Sequence, residues 1–317
     1  MMYFMKKYSK TFYLLVISFL ILIFFIVPNL RSSINIKNIN TITKETVSNN
    51  AVFTSTVVSS VVAKPFTILI VPGHDTNTGG ASFRGIYERD LVVDVANTIS
   101  TLLSQNPLYK VIIARDKQNW NPIFADYFTN NKQAILDFKN EHQAAYKLLV
   151  ASGQEKVVPD MGEHNLATPK TAIELYGINK WADENNIDLI IHLHFNNSTR
   201  INVKLPGSHH GFDMFIPQKQ SVNAATSRIV AEDIYKELEN KFSPEAPGYY
   251  NSLFEDHSLI ALGASNTLTK PAMLIEYAFI YEKILQTNTS REQTLEQMAQ
   301  QTVKGIQDYV NSISLRN

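Results

Sequence analysis

The stretch IDLIIHLHFNNS, residues 187–198, ends a run of strand-forming aliphatics in His192 and His194, two of only eight histidines in a chain of 317 residues. Alternate residues of a strand share a face, so the two imidazoles point the same way. Neutral imidazole is the commonest nitrogen ligand for zinc, and a hydrogen-bonded structural pair is the other way to hold two histidines on one buried face. His74 follows the aliphatics of an earlier strand in VPGHDTNTGG, within a loop loosened by Gly73, Gly79 and Gly80. It is either a polar loop residue or a group delivered to the carboxyl end of a strand, where open α/β sheets collect ligands. Glu88 heads an apolar helical pattern in GIYERDLVVDV, where a glutamate ordinarily serves as favourable charge at a helix N-terminus. Glu276 interrupts the apolar KPAMLIEYAFI. A carboxylate there is costly to bury unless it is paired, hydrogen-bonded or set beside a metal and its water. Two histidines and one glutamate have the composition of a catalytic zinc site with its fourth position open, and Glu276 is then a candidate general base. The alternative for Glu276 is an edge-strand side chain facing solvent. The chain has no cysteine, which excludes thiolate zinc sites, disulfides and cysteine nucleophiles.

These residues need elements to carry them. FTILIV after Pro65 reads as a short strand, and RDLVVDVANTISTLLSQ places Leu91, Val92, Val95, Ile99 and Leu102 on one helical face. The strand YKVIIAR follows, which opens an α/β unit. Residues 117–172 break the rhythm with Trp120, Pro122, the aromatics Phe124, Tyr127 and Phe128, and a helix expected over 131–150. The segment reads as an insertion bordering the active-site groove, either gripping substrate or covering the metal, because long insertions in compact domains tend to be functional. His142 and His164 lie in it and either approach the metal or face solvent. The α/β rhythm resumes with a helix near 169–186, the strand IDLIIHLH, the strand GFDMFIP, a helix over 221–241, the strand PAMLIEYAF and a helix over 290–312. The expected fold is one three-layer α/β domain over 65–317, with a central mostly parallel sheet flanked by helices.

In order, the motifs are strand–PGH, then G-x-x-E-R-D-L at a helix head, D-L-I-I-x-L-H-x-N, and P-A-M-L-I-E-x-x-F-I. Over about residues 66–312 this series resembles the zinc-dependent N-acetylmuramoyl-L-alanine amidases, cell-wall hydrolases with a phosphorylase/hydrolase-like fold. The resemblance implies that His74, Glu88 and His194 hold Zn2+ and that Glu276 is catalytic. It leaves His192 and Asn196 as residues that hydrogen-bond the ligands or touch substrate, or leaves His192 merely as a neighbour on the same face, His192 standing where the family usually has a small residue. It also implies hydrolysis of the amide between N-acetylmuramic acid and L-alanine of the peptidoglycan stem peptide by zinc-activated water. Asp75 and Ala278 stand where the family usually has glycine. Two other readings share the fold and metal: a catalytically silent wall-binding or regulatory protein, and a zinc peptidase acting on stem peptides.

Lys6, Lys7 and Lys10 precede the apolar run FYLLVISFLILIFFIVPNL. The run continues through bulky residues into Pro28 with no small-residue cleavage pattern, so an uncleaved transmembrane signal anchor is expected at 11–30. Residues 1–10 would form a cytoplasmic basic tail and 31–64 a flexible tether, leaving the catalytic domain extracytoplasmic on a single-pass membrane protein. Lys+Arg 29 balance Asp+Glu 29, and no basic block lies beyond the N-terminus, so no nucleic-acid partner is expected. The sequence names no activator protein.

Overall fold

The structure is a computed structural model that describes residues 64–75, 79–156, 167–246, 248 and 250–315. The expected tail at 1–10 and anchor at 11–30 lie outside the described residues, as do His164 and all of the tether except Lys64. Among the described residues no helix is long and apolar enough to cross a membrane.

The strands are β1 (Phe66–Pro72), β2 (Ser82–Phe83), β3 (Ile86–Tyr87), β4 (Tyr109–Ile113), β5 (Leu189–Asn196), β6 (Asp213–Pro217), β7 (Leu253–Asp256) and β8 (Ala272–Phe279). The helices are α1 (Glu88–Leu103), α2 (Pro122–Asn130), α3 (Lys132–Ala151), α4 (Pro169–Glu184), α5 (Ala224–Glu239) and α6 (Asn288–Ser314). Six strands form one sheet in the order β4-β1-β5-β8-β6-β7, and β2 and β3 make a separate small hairpin. All neighbours in the large sheet run parallel except β6 and β8, which are antiparallel. The mostly parallel α/β architecture expected from the alternating strand and helix patterns is therefore present.

Strand alternation sorts side chains between two cores. Leu189, Ile191, Leu193 and Phe195 of β5 face a core shared with α1, α5 and α6, whereas Ile190 faces a second core with Phe124 of α2 and Ile178 and Trp181 of α4. By the same alternation His192 and His194 project on the α4 side, as do Glu276, between Leu274 and the strand end, and Asp213, next but one to Phe215. Helix ends follow their sequence signals. Pro122 and Pro169 sit at first helical positions behind side-chain caps from Asn121 and Thr168.

The helix expected over 131–150 is present as α3, and α2, which the sequence pattern did not mark, precedes it, with Phe124 and Ile135 of these two helices fully buried. Sequence patterning also gave no sign of the β2–β3 hairpin or of β7, both too short for a period to register. At the other end, Lys64 is already docked: its Nζ donates to the Asn186 carbonyl at 3.3 Å and lies 3.9 Å from Asp188.

Candidate metal centre

From β1 the chain passes through α1 to β4 on one side of β1, then returns to place β5 on its other side. The strand order reverses between β1 and β5, and at such a switch point the outgoing connections part and leave a crevice at the carboxyl ends. His74 leaves the end of β1 and His194 stands near the end of β5, on the two lips of that crevice. Glu88 reaches the same place as the first residue of α1, steered there by the hairpin before it.

His74, Glu88 and His194 each offer a ligand atom, all within 4.8 Å of one another. The Glu88 carboxylate sits between the rings: Oε2 is 3.2 Å from His74 Nε2 and Oε1 is 2.9 Å from His194 Nδ1. Both oxygens also accept backbone N–H groups, Oε1 from Phe195 at 3.0 Å and Oε2 from Ala81 at 2.6 Å. Burial opposes ionisation of Glu88, which is only 2% exposed, but the hydrogen bonds and charge of His194 and His74 outweigh it and hold the carboxyl well below its usual range. The helix N-terminus adds to the same preference.

Two glycines make the convergence possible. A Cβ on Gly73 would lie 2.3 Å from the His194 ring, and one on Gly80 would lie 2.4 Å from Glu88 Oε2 and 2.5 Å from the His74 ring. The backbone is shaped to bring these donors together, and two imidazoles with one carboxylate form a donor set suited to zinc. His74 itself has φ 61°, left-handed backbone that a non-glycine residue adopts only where its surroundings enforce it.

Glu276 pairs in register with His194 on one side and with Asp213 on the other, so His194, Glu276 and Asp213 form a row across β5, β8 and β6. Glu276 is 6% exposed, and its Oε2 has no hydrogen-bond partner among the described residues. Burial, then the charges of Glu88 and Asp213, push its carboxyl well above the usual range. His192 lies one pleat deeper, 1% exposed, with Nε2 unpartnered among the described residues. Burial and the neighbouring His194 lower it to about 3, which keeps it neutral. Asn196 donates from Nδ2 to Asp213 Oδ2 at 3.2 Å and accepts the Asn197 N–H at 2.8 Å. His142, on α3, packs with its ring tilted 55° against Phe138 and belongs to no metal-type cluster among the described residues.

Sequence patterning passed over two residues of this region, Asp213 and Arg115. Asp213 carried a signal, an acidic residue inside the apolar GFDMFIP. Burial, opposed by hydrogen bonds from Ser252 and Asn196, raises it to about 6. A carboxyl with a raised folded pKa contributes stability below its unfolded value of 3.8 and loses it as pH rises through about 6. Asp213→Asn is therefore expected to raise the melting temperature of metal-free protein at pH 8, by an amount equivalent to on the order of 1–3 kcal/mol. The gain should be roughly halved at pH 5, where the folded carboxyl is protonated but the unfolded one is still mostly ionised. An equal gain at both pH values would show that the carboxyl is already ionised by pH 5 in the folded protein, so that its pKa is not raised.

Arg115 is 3% exposed and spends its guanidinium on backbone carbonyls near the site. It lines a cleft of about 230 Å³ together with Asp75, Asn119, Trp120, Ala125 and Lys170. Asp75 lies 3.8 Å from Lys170.

The profile of the N-acetylmuramoyl-L-alanine amidase family matches residues 68–308, from β1 into α6. No curated protein matches. Among solved structures, the fold is similar to the CwlD amidase of Clostridioides difficile in complex with the GerS lipoprotein, at 17% identity and TM-score 0.52, covering 78% of this chain and 98% of that one. It is likewise similar to an N-acetylmuramoyl-L-alanine amidase of Clostridium difficile 630, at 17% identity and TM-score 0.50, with the same coverage of each chain. At these identities the likeness is one of fold, while the family match extends over most of the chain and includes every residue of the row and the cluster. The chain belongs to the N-acetylmuramoyl-L-alanine amidase family.

Proposed function

We propose that the protein is a membrane-anchored, zinc-dependent amidase that hydrolyses the bond between N-acetylmuramic acid and L-alanine in peptidoglycan. The observation that carries the zinc assignment is the convergence of His74, Glu88 and His194 within 4.8 Å, at a place where Gly73 and Gly80 leave no room for a side chain. These three residues hold the ion. When bound, zinc supplies a Lewis acid that polarises a carbonyl oxygen and acidifies water.

Glu276 supplies the proton transfers. Its carboxylate takes a proton from the water that attacks the lactyl carbonyl carbon, and as the C–N bond breaks it delivers that proton to the leaving nitrogen. The products are a free lactyl carboxylate on the muramic acid and a free amino group on L-alanine. A carboxyl pushed upward by burial suits this exchange, because it holds a proton more firmly than an exposed one does and is better matched to neutral pH. Asn196, at the rim of the row, is placed to meet substrate, whereas buried His192 supports the strand beneath His194.

The segment at 117–172 borders the substrate groove. Supporting this is a cleft lined both by Asp75, the residue after His74, and by Asn119, Trp120 and Ala125 at the start of that segment. Residues 11–30 hold the chain in the cell membrane, with 1–10 cytoplasmic, 31–64 a tether and the catalytic domain outside. The basic flank and unbroken apolar run support that arrangement. Tethering keeps the enzyme beside a polymer that cannot diffuse to it.

The test is product analysis with full-length protein in detergent acting on a muramoyl peptide, before and after metal stripping. Release of a peptide with a free L-alanine amino group, lost on stripping and restored by zinc, is expected. A shortened stem peptide still joined to the sugar would make the protein a peptidase. Zinc bound with no product at all would make it a silent member of the family.

A further inference from the structure

Arg115 follows β4, the strand beside β1, and contributes no atom to the cluster of ligands. Its Nε donates to the Pro72 carbonyl at 3.0 Å, and its Nη2 donates to the Gly73 carbonyl and, at 3.0 Å, to the Arg89 carbonyl. Nη1 donates to its neighbour Asp116 at 2.8 Å. Pro72 and Gly73 are the two residues before His74, and Arg89 is the residue after Glu88. One planar fork therefore ties together, by direct hydrogen bonds at the site, the backbone segments that carry two of the three ligands. The tie bears directly on His74, whose left-handed φ of 61° persists only if neighbouring geometry fixes it. A flat guanidinium with donors in fixed directions can satisfy carbonyls from two segments at once, which an ammonium on a flexible stem cannot do with the same geometry.

We propose that Arg115 is a positioning residue for the metal centre, clamping the backbone at His74 and at Glu88 so that their side chains are pre-set to receive zinc. The proposal rests on the zinc assignment above. Its distinguishing feature is the sign of the expected effect. A buried cation near a Zn2+ site repels the ion, so if Arg115 acted only through its charge, replacing it with a neutral residue would tighten zinc binding. A clamp predicts the opposite, because loosened ligands must be ordered at the expense of binding free energy.

The experiment uses full-length protein in detergent, with Arg115→Gln and Arg115→Lys beside the parent. Zinc affinity is measured by competition with a chromogenic chelator, and thermal melting is followed on the metal-free proteins. The clamp predicts cooperative melting of both metal-free variants and a zinc Kd raised on the order of 10–100-fold in Arg115→Gln. Arg115→Lys should fall between the parent and Arg115→Gln. At saturating zinc, kcat should return to within about threefold of the parent, since the residue touches no reacting atom. Unchanged or tighter zinc binding in folded Arg115→Gln overturns the proposal. Failure of both variants to fold also overturns it, by making the guanidinium a requirement of the fold rather than of the site. A parent that binds no zinc removes the metal assignment itself and the clamp with it, an outcome distinct from either of the others.

Discussion

His194→Ala is expected to leave the purified protein with less than about a tenth of the zinc held by the parent, read as metal per chain after dialysis against a weak chelator. The reason lies in the small donor set. Three side chains supply the cluster, and removing one leaves two donors, too few to hold zinc with comparable affinity. Glu88→Ala should be as severe, since it also removes the acceptor for His74, His194 and the backbone N–H groups of Ala81 and Phe195. The buried Phe195 N–H and the half-buried Ala81 N–H would then lack their present partner, so a fall in melting temperature should accompany the loss of metal. His192→Ala is the control. That side chain is buried one pleat below His194, and removing it opens a cavity that lowers stability, but the donors above it remain. Zinc lost from His192→Ala and kept by His194→Ala would put the ligand assignment out by two residues along β5.

That choice between two histidines marks what the sequence could and could not reveal. Alternation along β5 puts both rings on one face, as the structure does, without saying which face of the sheet that is. Periodicity alone could not say which ring reaches the crevice, because that depends on where the carboxyl end of β5 emerges relative to β1. The long strands and helices were legible for the usual reason: Leu91, Val92, Val95 and Ile99 mark a helix face, and FTILIV and IDLIIHLH are buried parallel strands. Less accessible were features set by distant partners. Arg115 reads as one more charged residue after a strand, and its role at Pro72, Gly73 and Arg89 exists only once β4 lies beside β1. Asp213 shows as an acidic interruption of GFDMFIP, but its place beside Glu276 follows from the antiparallel pairing of β6 with β8, which no local pattern encodes. Residues 117–172 read as an insertion because aromatics without a clear period precede a helix, and that local pattern does not tell that Phe124 and Ile135 within it are fully buried, so removing the segment would uncover apolar surface as well as any groove wall.

Glu276→Gln is expected to lower kcat by at least roughly 10²-fold while the protein keeps its zinc, since a positioned acid/base group contributes on that scale and an amide can neither take nor return the proton. The substitution preserves shape on a strand whose every residue is buried. It also separates chemistry from folding through the sign of its effect on stability. Burial, Glu88 and Asp213 raise the Glu276 carboxyl in the folded protein. Its contribution to stability is present below the unfolded value of 4.5 and is lost as pH rises through the folded one. A glutamine has no such loss, so metal-free Glu276→Gln should melt at or above the parent at pH 8, with the advantage shrinking toward pH 5. A variant that is folded, zinc-loaded, at least as stable as the parent and nearly inactive places the defect in proton transfer. KM should change little, because the carboxylate acts on water and the leaving nitrogen rather than on parts of the substrate bound equally before and during reaction. Turnover within about threefold of the parent would remove Glu276 from the mechanism. Asp213, its neighbour in the row, would then be the next buried carboxylate to examine, by asking whether Asp213→Asn loses activity while gaining stability at alkaline pH.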